Sequence, residues 1–82
     1  MRGDRLKEVR IARELSQPEL AEKVGISAQQ IYRLEAGKHS PSANLLSDLA
    51  KVLDVSMDYL AGLVDDQHGH ISEQELTPVE RK

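Results

Sequence analysis

Eighty-two residues with no cysteine and a formal charge of −3 make one small domain, built without disulfides or a thiolate metal site. No apolar run approaches the roughly 20 residues of a membrane span. The opening MRGDRLKEVR lacks the apolar stretch of a signal peptide, so a cytoplasmic protein is expected.

Leu6, Val9, Arg10 and Arg13 recur at helical spacing and predict a first helix over 4–13, with Lys7 and Glu8 facing out. Ser16-Gln17-Pro18-Glu19 reads as a capping box that opens a second helix, whose inner face is Leu20, Ala21 and Val24. Pro18 fits there because first-turn N–H groups have no intrahelical partner. Gly25 closes that helix in a tight turn. Ser27 then caps a third helix, with Gln30 in capping-box position, and Gly37 ends it. Ser42 caps a fourth helix over 43–53 with a stripe of Leu46, Leu49, Ala50 and Leu53. Ser56 caps a short fifth containing Met57, Tyr59 and Leu60, followed by Gly62. Five short helices and no strand make the chain all-α.

Residues 1–64 carry nine Lys/Arg and nine Asp/Glu, so the acidic excess sits in 65–82, where the apolar residues thin to Ile71, Leu76 and Val79. Two parts are expected: a helical domain over 1–64 and an acidic, flexible or peripheral tail over 65–82. A neutral domain binds an acidic polymer only through cations that face one way.

The second and third helices, with the Gly25 turn between them, form a helix-turn-helix pattern, whose second helix is the type that enters a DNA major groove. At about 100° per residue, Ile31 and Leu34 share one side of the third helix. Ala28, Gln29, Tyr32 and Arg33 share the other, with Gln30 at the flank. Gln pairs bidentately with adenine, Arg with guanine, and a small Ala meets a thymine methyl. The same set could instead simply solvate an exposed face.

Residues 5–63 resemble the phage-repressor (Xre/Cro-type) helix-turn-helix family, through RLKEVR, LSQPELAEKVGIS, IYRLEAGK, PS and LAKVLDVSMDYLAG. The resemblance implies a compact five-helix bundle of the lambda-repressor-like type. It implies a sequence-specific regulator of transcription, a repressor, that binds double-stranded operator DNA as a homodimer and needs no cofactor. It places Ala28, Gln29 and Arg33 at base-reading positions, with Gln30 and Tyr32 as helpers. It places Gln17, Ser27, Lys38, His39, Ser40 and Asn44 at phosphate-contacting positions. It matches Arg10 and Glu35 to a structural ion pair that sets the angle of the third helix. Glu14 and Asp54 stand where the family often has glycine, which puts local strain at those two turns. Val55, Met57, Leu60, Leu63 and Val64 are the candidate dimer patch, with core completion as the plain alternative.

Two rival readings remain. The chain could be an antitoxin or a restriction-modification controller whose tail binds a partner protein, with Ile71, Leu76 and Val79 as anchors. It could also be a protein-docking module without DNA binding, which the neutral charge of 1–64 favours and the polar third helix opposes. No catalytic constellation appears. His68 and His70 without further ligands make no metal site, and Asp65-Asp66 reads as a solvated linker. The terminal LTPVERK resembles the start of a further helix or region in longer relatives.

Overall fold

Four serines set the starts of four helices in the computed structural model, which describes residues 1–69. The elements are α1 (Gly3–Ala12), α2 (Gln17–Val24), α3 (Ala28–Glu35), α4 (Ala43–Leu53) and α5 (Met57–Ala61), with no strand among the described residues. Ser16, Ser27, Ser42 and Ser56 are extended, and each hydroxyl accepts the N–H three residues on. Ser16–Glu19 and Ser27–Gln30 form full capping boxes, in which the N3 side chain also accepts the cap's own N–H. A cap of this kind contributes about 1 kcal/mol, so the helix starts are encoded locally. α1 is the exception: the residue before it, Arg2, makes no side-chain cap hydrogen bond.

The turns differ in strain. Gly25 takes φ +77°, which only glycine adopts freely. Glu14 and Asp54 take φ +59° and +57°, so the two departures from glycine do occupy left-handed turns. Asp tolerates that region better than Glu.

One core joins all five helices. Leu6, Leu20, Ile31, Leu49, Leu53 and Leu60 are all fully buried, at 0% exposure. Each such side chain stabilises the fold by about 1.5–3 kcal/mol relative to exposure. Leu46, expected in the buried stripe of α4, is only half-buried. The patch expected for dimer contact is corrected: Val55 and Leu60 are buried and complete the core, while Met57 and Leu63 are exposed and Val64 is half-buried.

Beyond α5 the chain doubles back. Ser56 N–H donates to the Gln67 carbonyl at 2.6 Å. Arg5 reaches across from α1 and donates to the carbonyls of Tyr59, at 2.9 Å, and Val64. It also pairs with Asp65 at 2.8 Å and lies 4.4 Å from the Tyr59 ring centroid. Residues 63–68 are thereby strapped along α5, and His68 Nε2 comes to 3.8 Å from Asp54. The readings placed on His70, Ile71, Leu76, Val79 and the terminal LTPVERK lie outside the described residues.

Candidate nucleic-acid interface

The third helix presents its polar side outward because its apolar side has nowhere else to go. Ile31 and Leu34 are buried at 0% and 1% exposure, which turns Gln29, Tyr32 and Arg33 to the surface. Ala28, read from spacing as outward, is half-buried and packs against the core, so it lies at the edge of the face. Gln30 is exposed, but its Oε1 accepts the Ser27 N–H at 3.0 Å. Its amide NH₂ is what remains for contacts outward.

Side-chain contacts tie the end of α3 to α1 and α2. Arg10 Nε donates to Glu35 Oε2 at 2.5 Å and Nη2 to Oε1 at 3.2 Å, a bidentate pair with both side chains almost wholly buried. Arg10 Nη1 also donates to the Leu15 carbonyl at 2.8 Å, tying in the turn before α2. Gln17 Nε2 donates to Glu35 Oε1 at 3.1 Å. One further contact, at Gly3, was not visible in the sequence. The backbone of Gly3 lies so close to the C-terminal end of α3 that an added Cβ would stand 2.5 Å from the Glu35 carbonyl oxygen. Gly3 precedes the helix expected over 4–13, so no local signal marked it.

The residues matched to phosphate contacts lie at helix starts and in the loop around α3. Ser27, Lys38, His39, Ser40 and Asn44 are exposed, spread from the start of α3, through the α3–α4 loop, to the first turn of α4. Gln17 is half-buried at the first position of α2, whose first-turn N–H groups lack intrahelical partners and favour anions. Lys38 Nζ stands 6.0 Å from the Tyr32 ring centroid. Glu19 occupies the same helix end: the Ser16 backbone N–H, then the Ser16 side chain, hold its carboxyl below the ordinary value.

Among the described residues no group of three or more His, Asp or Glu could hold a metal ion, and no helix is long and apolar enough to cross a membrane. A hollow of about 380 Å³ between α4, α5 and His68 is mostly apolar and has no α3 residue in its lining. The arrangement offers an exposed polar helix face with Lys38 and helix N-termini beside it, which suits reading an edge pattern between two phosphate rails.

Comparison with known proteins agrees with this geometry. The helix-turn-helix family model matches residues 6–60. The chain is 38% identical over 72 residues to YobD, an uncharacterized HTH-type transcriptional regulator of Bacillus subtilis (strain 168). That match covers 88% of this chain but 64% of the relative, so the chain spans less than two thirds of that relative's length. The P22 c2 repressor in complex with a synthetic operator superposes with a TM-score of 0.69 at 33% identity, covering 71% of this chain and 88% of that one. SinR, the master regulator for biofilm formation, in complex with DNA, gives 0.69 at 35% identity, covering 74% of this chain and 98% of that one.

Proposed function

Since the chain belongs to the helix-turn-helix family, we propose that it is a sequence-specific double-stranded DNA-binding regulator of transcription, acting as a repressor. α3 enters the major groove, Gln29 and Arg33 read base edges, and Ala28 lies against a thymine methyl. Gln30 contributes its amide NH₂. Gln17, Ser27, the Lys38-His39-Ser40 loop and Asn44 fix register on the phosphates. The carrying observation is the exposed polar face of a helix whose inner side is locked by Arg10 and Glu35.

Two copies related by a two-fold axis would set their recognition helices one DNA turn apart, about 34 Å, and read an inverted repeat. The exposed Met57 and Leu63 are the residues left from the apolar patch for that contact. A cytoplasmic location follows from the role.

Selection from a random duplex library tests the proposal. Enrichment of an inverted repeat, bound far more tightly than unselected duplex, is the expected result. Equal binding of selected and random duplex at every salt concentration would overturn it.

A further inference from the structure

Beside α3 lies a groove of about 180 Å³ lined by Lys7, Gln17, Tyr32, Glu35 and Ala36. Three elements build it: α1 supplies Lys7, α2 its first residue Gln17, and α3 with its cap the rest. The Glu35 carboxylate belongs to the wall, but it is occupied: Arg10 matches its charge and Gln17 Nε2 takes a further lone pair. The exposed, polar members are Lys7 and Tyr32. The Tyr32 ring in turn has the Lys38 ammonium 6.0 Å from its centroid.

The groove occupies one flank of the recognition helix. At 100° per residue Tyr32 lies about 60° around the axis from Glu35, whereas Arg33 lies about 160° away. Tyr32 therefore leans toward α1 and the start of α2, and Arg33 leans away from them. In a helix lying in a major groove, the flanks face the sugar-phosphate walls and the centre faces the bases.

We propose that this groove seats a DNA backbone phosphate, held by the Lys7 ammonium and the Tyr32 hydroxyl. The footprint then extends onto α1, and Tyr32 positions the helix on the backbone instead of reading a base. The inference rests on the reading of α3 as a recognition helix. A phosphate oxygen takes a compact ammonium as a point charge and a phenol O–H as a donor, which is what the groove offers. Neither group specifies sequence, so its effect is uniform over operators.

The test uses the full chain with salt titrations on a selected and on a random duplex. Lys51→Ala serves as the control, because Lys51 lies on α4 beside the other hollow. Lys7→Ala should reduce the slope of log affinity against log salt by about one, equally on both duplexes. Between 50 and 200 mM salt that is about a threefold smaller loss of affinity. Tyr32→Phe should weaken both duplexes alike and leave the selected sequence unchanged. A single methylphosphonate on a flanking phosphate should weaken the unmodified protein more than it weakens Lys7→Ala, which keeps only the Tyr32 contact. If duplex binding is salt-dependent but Lys7→Ala keeps the slope of Lys51→Ala, the phosphate seat is overturned alone. If the unmodified chain shows no salt-dependent duplex binding, the recognition-helix reading falls with it.

Discussion

Gln17 on α2 and Arg10 on α1 share one carboxylate: Glu35 Oε1 accepts Gln17 Nε2 at 3.1 Å and Arg10 Nη2 at 3.2 Å. A residue matched to the DNA backbone and a residue that anchors α3 to α1 therefore meet at the end of α3. Removing one member of a buried ion pair strands the other, at a cost of about 3–5 kcal/mol, whereas replacing both with apolar groups of similar volume is often neutral. Arg10→Met and Glu35→Leu should each lower the urea midpoint sharply, and the double variant should recover most of it. The double variant should still bind operator more weakly than the unmodified chain, since α3 and Gln17 lose their common anchor. Full recovery of affinity along with stability would refute the positioning role.

In the proposed function Arg33 reads a base edge and Lys38 contacts a phosphate, so their variants should differ. Arg33→Ala should cost roughly 1–3 kcal/mol on the selected operator and relax preference at one base pair. Lys38→Ala should weaken all duplexes alike and reduce the salt slope by about one. Titration of each variant against single-base operator changes checks both, and equal effects on specific and random DNA from both variants would refute the assignment.

Gly3 is a second place, besides Arg10, where α1 meets α3. An added methyl would stand 2.5 Å from the Glu35 carbonyl oxygen, which is backbone and cannot swing aside. Gly3→Ala should cost about 1–3 kcal/mol of stability, the range for overpacking, and shift α3 enough to reduce operator affinity further. Thermal unfolding and operator titration read the two effects. Unchanged values in both would mean that α1 frays at its start without consequence.

Glu14 is held at φ +59°. The left-handed region costs a non-glycine residue about 1–2 kcal/mol, and glycine's extra freedom in the unfolded chain takes back about 0.5–1 kcal/mol. Glu14→Gly should therefore raise the stability by about 0.5–1 kcal/mol. Asp54→Gly should gain less, because Asp adopts that region more readily. Urea midpoints of the two variants, compared side by side, check the order.

Acid should loosen the start of α2. The Ser16 backbone N–H holds the Glu19 carboxyl below its ordinary value of 4.5. A carboxyl whose folded pKa is depressed adds stability that is present above 4.5 and is lost as pH falls through the folded value. Glu19→Gln keeps an acceptor for Ser16 N–H but carries no titrating charge, so it should flatten the acid limb of stability against pH. Urea midpoints from neutral pH to about pH 3 would show the difference between the two curves, and parallel curves would refute it.

The helices, their starts and the inner face of α3 could be read from the chain alone. Each depends on residues within four positions of one another: Ser16 with Glu19, Ser27 with Gln30, Ile31 with Leu34, Gly25 with the turn it makes. Local geometry decides such features, so a local pattern reveals them. The Arg10–Glu35 pairing was expected only through family resemblance, because the two residues are 25 positions apart. Tertiary structure alone decided the rest. It placed Gly3 against the end of α3 and brought Lys7 beside Gln17 and Tyr32. It sent Val55 and Leu60 into the core and drew Arg5 across 59 positions to the Val64 carbonyl. Those contacts depend on how five helices close on one core, and the spacing of residues along a single helix carries no record of which neighbour its flank will meet.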